Sequence, residues 1–291
     1  MKKIIASSLF YYQFKLFSPF HNTIIHGVFP RSRLNSRLKR SRDQTKHGFI
    51  KSDVSLNVKY GFESDEMVNE HRRLIIDAVK VIGKSGNTIA PRNINVSDNE
   101  NTLKNKIVSA YQTHGDLISI ETLPRSITRE VDEVPDVDAF ITDRAGILLM
   151  LKTADCQPIL IYDPIKNIIA AVHSGWRGTL QNIVGKTIQK MMRDFHSRPG
   201  DIRVTIGPSL QKCCSEFRSR EKDFKHFESY FLPNDRVDLL RISFDQLNQS
   251  GIREEHVEIS DICTSCASDT FFSYRKDRPD QGRFATVIGL R

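Results

Sequence analysis

Two apolar segments joined by a short turn place the strongest constraint on the fold of this chain. Residues 159–162 and 168–172 contain almost no polar side chains, and the turn sequence Asp-Pro-Ile-Lys-Asn separates them. Short apolar runs that turn residues flank are typical of buried β-strands. The sequence therefore predicts a β-hairpin, or two neighbouring strands, inside a sheet.

A cysteine precedes the first segment and a histidine follows the second. Cys156 comes directly after Asp155, and His173 ends the second apolar segment. If the two segments pair in antiparallel fashion, Cys156 and His173 lie at the same end of the pair. Spacing alone leaves an alternative open, in which Cys156 is a small apolar core residue and His173 bonds to the backbone.

A third candidate ligand, His114, follows a predicted strand at residues 106–111. Together with Cys156 and His173 it completes a set of two imidazoles and one thiolate, which suits Zn²⁺. Three protein ligands leave the fourth position of a zinc site open for water or substrate, and this open position distinguishes catalytic from structural zinc sites. The three residues are therefore candidate ligands of a catalytic zinc ion.

Apolar periodicity predicts further elements. Ser64 has the character of a helix N-cap, and the positions after it predict a helix to about residue 82. A second helix is predicted at residues 179–195. Three further strands are predicted at residues 9–20, 134–142 and 146–152. Because strands and helices alternate irregularly and no Gly-rich nucleotide fingerprint occurs, the predicted fold class is a single α+β domain.

The composition is that of a globular protein without a membrane span. The 291 residues suffice for a substantial core. No apolar run approaches the roughly 20 residues that a membrane-spanning helix needs, so we expect no membrane partner. The five cysteines are odd in number and scattered, which suits a reducing compartment. Because the N-terminal segment also lacks a signal-peptide cleavage motif, we expect a cytoplasmic location.

Four of the five cysteines occur in two close pairs, the vicinal Cys213-Cys214 and Cys263-x-x-Cys266. No second pair stands at the spacing of a zinc ribbon, so the sequence favours a structural role for Cys263 and Cys266 over a metal or redox site. Vicinal cysteines do not readily bridge each other without strain. We expect Cys213 and Cys214 to pack at the edge of the candidate site.

The net charge of +8 is concentrated in one segment. Residues 31–46 hold seven Lys or Arg and one Asp, which accounts for six of the eight net positive charges. Such a run is usually a solvated loop, and it lacks the interleaved aromatic residues that stack on bases. We therefore do not expect a nucleic-acid partner.

Several short motifs occur in order between about residue 22 and the C-terminus. They are Gln112-Thr113-His114-Gly115, Val137-Asp138-Ala139-Phe140-Ile141-Thr142, Thr153-Ala154-Asp155-Cys156-x-Pro158, His173-x-Gly175-Trp176-Arg177-Gly178, Ile206-Gly207-Pro208-Ser209 and Phe272-Ser273-Tyr274-Arg275-Lys276-Asp277 with Gly282-Arg283. Together these motifs resemble the multicopper polyphenol oxidase or laccase-domain family. Its characterised members are described as purine nucleoside phosphorylases with adenosine deaminase activity, and bacterial members have been called peptidoglycan editing factors.

The resemblance implies a fold, a metal and an activity. The fold is a four-layer α/β/β/α sandwich with two packed mixed sheets. The metal is zinc, held by His114, Cys156 and His173. The implied activity is phosphorolysis of adenosine, inosine or guanosine to the base and ribose 1-phosphate, together with deamination of adenosine. The implied partners are thus a small nucleoside and phosphate, and the sequence predicts no oligomeric state.

Two other activities stay open at this point. One is a hydrolase that edits peptidoglycan precursors, since the same zinc site could activate water for attack on an amide. The other is the copper-dependent oxidation of phenols that the older family name implies. Copper is the less favoured metal, because this sequence contains none of the His-x-His pairs that a multicopper cluster needs.

Asp155 and Arg177 are the candidate catalytic residues. Asp155 adjoins the ligand Cys156 and is expected to transfer a proton or to support the ligand, with stabilisation of the turn as the alternative. Arg177 stands near a predicted helix start and is expected to bind phosphate through two of its N–H groups. Packing against Trp176 is the alternative role for Arg177.

The predicted organisation is an N-terminal extension or strand at residues 1–21, followed by a catalytic domain at residues 22–291. Residues 31–47 form a basic insertion where the family usually has a Gly-rich loop. Because the entropy of loop closure grows only with the logarithm of loop length, we expect an exposed, mobile insertion that folding does not require.

Overall fold

The computed structural model describes residues 1–6, 9–31, 57–59, 64–84, 106–122, 131–278 and 282–291. Apart from Arg31, the predicted basic insertion lies outside the described residues, so its exposure stays a prediction. Among the described helices, none combines the length and apolar character needed to cross a membrane.

The described residues form strands and α-helices that we number in chain order. The strands are β1 (Lys2–Ala6), β2 (Leu9–Gln13), β3 (Ile24–Phe29), β4 (Lys106–Tyr111), β5 (Ile118–Ile120), β6 (Val131–Pro135), β7 (Ala139–Thr142), β8 (Ile147–Thr153), β9 (Gln157–Asp163), β10 (Ile168–Ser174), β11 (Arg203–Ile206), β12 (Phe231–Leu232), β13 (Arg236–Val237), β14 (Val257–Ile259) and β15 (Phe284–Leu290). The helices are α1 (Asp65–Lys84), α2 (Trp176–Leu180), α3 (Ile183–Phe195), α4 (Arg220–Asp223), α5 (Leu239–Gln249) and α6 (Tyr274–Asp277).

Two large sheets contain most of these strands. One has seven strands in the order β1-β2-β3-β15-β8-β4-β6, and the other has six in the order β14-β11-β9-β10-β7-β5. Both sheets are mixed, since β4 runs parallel to β6 and β8, and β11 runs parallel to β14, among antiparallel neighbours. The predicted α+β class with two mixed sheets is confirmed.

Successive side chains of a strand face different layers of the fold. On β8, Leu149 belongs to an apolar cluster that both sheets share, whereas Met150 belongs to a cluster with Ile75 of α1. On β9, Leu160 faces the shared cluster, whereas Ile161 belongs to a cluster that includes residues of α3 and α5. Because successive side chains of a strand point to opposite faces, the layers are α1, seven-stranded sheet, six-stranded sheet, then α3 and α5. This is the predicted α/β/β/α sandwich.

The hairpin predicted from the two apolar segments is formed by β9 and β10. The strands pair in antiparallel fashion, and His173 stands opposite Pro158. In the turn, the Asp163 carboxylate accepts hydrogen bonds from the backbone N–H groups of Ile165 and Lys166, at 2.9 and 3.0 Å. Cys156 directly precedes β9, so the hairpin places it at the same end as His173.

Three predicted elements differ from the structure. The predicted strand at residues 134–142 is two strands in different sheets, because the chain turns at Asp136 with φ 59°. The predicted helix at residues 179–195 is α2 and α3, because Asn182 is left-handed and its side chain caps α3 through Gly185 N–H at 3.1 Å. The predicted strand at residues 9–20 ends at Gln13, and a 3₁₀ turn then begins at Ser18, directly before Pro19.

Candidate metal centre

The three predicted ligands lie together in the structure. His114, Cys156 and His173 each offer one donor atom, and these atoms lie within 4.8 Å of one another. The two imidazole rings are 4.9 Å apart between centroids and almost perpendicular, at 79°. His114 follows β4 of the seven-stranded sheet, whereas Cys156 directly precedes β9 and His173 lies in β10 of the six-stranded sheet. The cluster therefore lies where the ends of the two sheets meet.

A glycine allows this close approach. A Cβ atom added to Gly175 would stand 2.7 Å from His114 Cδ2 and 3.2 Å from Cys156 Sγ. The backbone of Gly175 is extended, with φ −73° and ψ 172°, so a side chain is excluded by the neighbouring ligands rather than by the backbone. Gly175 thus packs against His114 and Cys156 with its backbone alone.

Asp138 holds the candidate ligands in place, although we predicted no role for it from the sequence. Its Oδ1 accepts hydrogen bonds from His173 Nδ1 at 2.7 Å and from the His114 backbone N–H at 3.1 Å. Its Oδ2 accepts the backbone N–H groups of Gly115 at 2.8 Å and Thr113 at 3.2 Å. One buried carboxylate thus holds both histidine-bearing segments. The signal in the sequence was an aspartate at the start of an otherwise apolar strand.

Charges within the site favour the thiolate of Cys156. Burial raises the pKa of Cys156, but His173 and His114 outweigh burial and lower this pKa to about 6. Burial lowers the pKa of His173, whereas Cys156 and Asp138 raise it to about 9. For Asp138, burial raises the pKa, and its hydrogen bonds with His173 and the backbone bring it below its usual range. A thiolate at neutral pH is the form of cysteine that binds metal ions.

The donor set fits a metal ion such as zinc. Bonds of about 2.3 Å to sulfur and 2.0–2.1 Å to nitrogen keep ligand atoms within about 4.4 Å of one another. The donor atoms of His114, Cys156 and His173 all lie within 4.8 Å of one another, so a small inward shift of the side chains would let one ion reach all three. The hydrogen bond to Asp138 occupies His173 Nδ1 and leaves Nε2 for the metal, which is the usual carboxylate–histidine–metal arrangement.

Asp155 occupies the turn directly before Cys156 and has φ 88°, in the left-handed region. Its carboxylate accepts hydrogen bonds from Thr264 Oγ1 at 2.6 Å, Ser273 Oγ at 2.7 Å and the Arg275 backbone N–H at 2.5 Å. Such bonds offset the cost of a left-handed aspartate and fix the position of the next residue. A catalytic role for Asp155 stays a prediction.

Arg177 is exposed at the start of α2, and its guanidinium carbon lies 4.2 Å from the centre of the Trp176 ring. Because α2 has only five residues, we assign no anion site to its N-terminus. The stacking matches the alternative role, and phosphate binding by Arg177 stays a prediction. A second guanidinium, that of Arg283, is half-buried and close enough to Asp155 and Cys156 for their charges to act on it.

Comparison with known proteins identifies the family. The sequence profile of the family described as multi-copper polyphenol oxidoreductase laccase matches residues 85–291, well over half of the chain. The chain belongs to this family. The resemblance drawn from the short motifs is therefore confirmed, and the family profile covers all three predicted ligands.

Two bacterial relatives of this chain are named purine nucleoside phosphorylase. The relative from Clostridium acetobutylicum is 35% identical over 186 residues, which are 61% of this chain and 74% of the relative. The relative from Geobacillus stearothermophilus, YlmD, is 36% identical over 171 residues, which are 54% of this chain and 61% of the relative. The similarity thus spans roughly two thirds of each relative.

A solved structure shares the fold over nearly the whole chain. The crystal structure of YlmD from Geobacillus stearothermophilus superimposes with a TM-score of 0.72 and 25% sequence identity, over 99% of this chain and 97% of that chain. The two-sheet sandwich is therefore shared with a solved structure.

Asp138→Asn should lower the metal affinity of this candidate centre by about ten- to one-hundred-fold, the usual effect of removing the group that orients a metal-bound histidine. Both carboxylate oxygens of Asp138 accept N–H groups, but an amide has only one acceptor oxygen. The NH₂ group of the new Asn side chain would therefore face N–H donors without forming hydrogen bonds to them. Competition with a coloured chelator measures the affinity. Asp116→Asn is the matched control, since Asp116 pairs with Lys186 and is not among the partners of His173. Equal affinities in the two variants would contradict the orienting role.

Proposed function

We propose that this chain is a zinc-dependent purine nucleoside phosphorylase that also deaminates adenosine. The observation that carries the proposal is the cluster of His114, Cys156 and His173 in a chain whose relatives are named purine nucleoside phosphorylase. Two imidazoles and one thiolate form the donor set of a catalytic zinc site with an open fourth position. The proposed substrates are a purine nucleoside and inorganic phosphate.

In phosphorolysis, a phosphate oxygen forms a bond to ribose C1′ as the bond from C1′ to the purine nitrogen breaks. The electron pair of the broken bond goes to the purine, which takes up a proton. A zinc ion, when bound by the three ligands, supplies a positive centre that acts as a Lewis acid. Arg177 is proposed to bind two phosphate oxygens at once and to orient the nucleophile towards C1′.

Asp138 and Asp155 support this chemistry as positioning residues. Asp138 fixes the ring orientation of His173 and the backbone around His114. Asp155 is engaged by three hydrogen-bond donors, so we propose that it supports the ligand Cys156 rather than carrying a proton. Both carboxylates act through the ligands that they hold in place.

The decisive measurement is the dependence of nucleoside cleavage on phosphate. Purified protein should release the base from adenosine or inosine only when phosphate is added, with ribose 1-phosphate as the second product. In Arg177→Lys, the KM for phosphate should rise by about ten- to one-hundred-fold, since hydrogen bonds to charged groups contribute about 1.5–3 kcal/mol. Deamination of adenosine should change far less, because it consumes water, and zinc content should not change.

Two further variants separate the roles of the arginines. Arg193→Lys is the matched control, since Arg193 lies on α3 and pairs with Asp194 at 2.6 Å. If the KM for phosphate rises in Arg283→Lys and stays unchanged in Arg177→Lys, Arg283 rather than Arg177 binds the phosphate. Base release without phosphate, or turnover of a muramyl-amino-acid precursor in its place, would overturn the phosphorylase proposal and favour the editing hydrolase. Copper in the purified protein, with oxidation of phenols, would favour the oxidase.

A further inference from the structure

The structure brings together the two cysteine pairs that lie far apart in the sequence. The Sγ atoms of Cys213, Cys214, Cys263 and Cys266 all lie within 4.8 Å of one another. Cys266 Sγ is 3.6 Å from Cys213 Sγ and 3.5 Å from Cys214 Sγ. From the sequence alone we favoured a structural role over a metal site here, because the two pairs lie far apart in the chain.

These distances match four thiolates around one metal ion. Four sulfur atoms at about 2.3 Å from a tetrahedral zinc ion stand about 3.8 Å apart. A disulfide bond is far shorter, at about 2.05 Å, and none of the five cysteines forms one. In a polynuclear iron–sulfur cluster several irons and sulfides separate the cysteines, so their sulfur atoms stand farther apart. The observed spacing therefore favours a single tetrahedral ion.

Backbone donors surround Cys263. The backbone N–H groups of Gln211, Ser265 and Cys266 donate hydrogen bonds to Cys263 Sγ. Hydrogen bonds of this kind hold a ligand in place in the second layer around a metal. The two cysteine loops are also joined directly, since Thr264 N–H donates to the Ser209 carbonyl at 3.1 Å.

We propose that Cys213, Cys214, Cys263 and Cys266 bind one structural zinc ion, separate from the His114–Cys156–His173 centre. Soft thiolate ligands in a tetrahedral arrangement select zinc or iron among the common metals. Zinc with four cysteines is a closed site without an open position, so its role is to hold the fold. No function assigned above uses these four residues.

This zinc ion would fix the loops that support the first centre. The Leu210 backbone N–H donates to the Asp155 carbonyl at 2.8 Å, and Thr264 Oγ1 donates to the Asp155 carboxylate at 2.6 Å. Leu210 precedes the vicinal cysteines, and Thr264 lies between the other two. Binding an ion at the four cysteines thus ties together the two loops that hold the turn before Cys156.

Metal counting in matched variants tests the proposal. The full chain, purified with a phosphine reductant, should contain about two zinc ions per chain by elemental analysis. Cys156→Ser should keep about one, and Cys213→Ser with Cys266→Ser should also keep about one, because each removes a different site. The double variant should also unfold at a lower temperature than wild type, since its closed site contributes to folding. Equal zinc content in wild type and the double variant would overturn the proposal, and iron with visible absorption would overturn the choice of zinc.

A measurement on the wild-type chain covers the case in which the double variant does not fold. Cys213 and Cys266 are exposed, so as free thiols they should react with Ellman's reagent at once. If zinc is bound, these thiols should react slowly, and their reaction should release about one zinc ion per cluster to a coloured indicator. Addition of a strong chelator should remove the zinc and make the reaction fast. Immediate reaction of these thiols without zinc release, or disulfides among the four cysteines by mass spectrometry, would overturn the proposal.

Discussion

Cys156→Ser should abolish the proposed phosphorolysis and the proposed deamination together and remove one metal ion per chain, while the protein stays folded. Serine stays protonated at neutral pH and does not replace a thiolate as a zinc ligand. Loss of the Lewis acid removes several kcal/mol of transition-state stabilisation, so both activities should fall by about a thousand-fold or more. Cys156 is half-buried at the start of β9 rather than in an apolar cluster, so its replacement should leave the core intact.

Three measurements are needed on this variant. Elemental analysis gives its metal content, circular dichroism and thermal unfolding report its fold, and product analysis separates base release from deamination. Wild-type metal content in Cys156→Ser would show that the cysteine is not a ligand. Loss of one activity with retention of the other would show that the two reactions do not share the centre. A blue protein in the wild type would indicate a copper–thiolate bond instead of zinc.

Much of the metal centre could be predicted because one local element brings two ligands together. The β9–β10 hairpin has a turn whose sequence is visible in the chain, and its register places His173 opposite Pro158, two residues after Cys156. Local sequence determines such a register, since the turn and the apolar pattern both fix it. The third ligand, His114, was assigned by chemistry and by the resemblance, because its distance from the hairpin depends on how the two sheets pack.

The role of Asp138 depends on long-range structure that no local pattern reveals. The chain crosses from β6 in one sheet to β7 in the other, and Asp138 lies in that crossover. We predicted one continuous strand there, which would have placed Asp138 within a single sheet. The left-handed turn at Asp136 divides the segment, and Asp138 then reaches the ligands of both sheets.

The four-cysteine cluster was missed for a similar reason. The spacing Cys-x-x-Cys signals a metal loop only when a second pair is brought beside it, and here that pair is vicinal and distant in the chain. The short parallel bridge between Ser209 and Cys263 brings the two loops together. Such a contact is specified by the packing of β11 beside β14, not by the residues of either loop.

Gly175→Ala should lower metal affinity at the His114–Cys156–His173 centre by about 5- to 150-fold, since overpacking of this kind costs about 1–3 kcal/mol. The new Cβ would stand 2.7 Å from His114 Cδ2 and 3.2 Å from Cys156 Sγ, so at least one ligand must move. Because a displacement of about 1 Å in a catalytic group can cost one-hundred-fold in rate, kcat/KM should fall by about that factor.

The same substitution at a neighbouring glycine provides the control. A Cβ on Gly115 would stand 3.6 Å from both Asp138 Oδ2 and Thr113 Oγ1, which is ordinary van der Waals contact. Gly115→Ala adds the same methyl group beside the same centre and should keep zinc affinity and kcat/KM near wild type. If Gly175→Ala retains wild-type zinc affinity, the ligands do not converge on this glycine. If both variants lose affinity equally, the centre is sensitive to any added bulk, and the specific contact with His114 is not the cause.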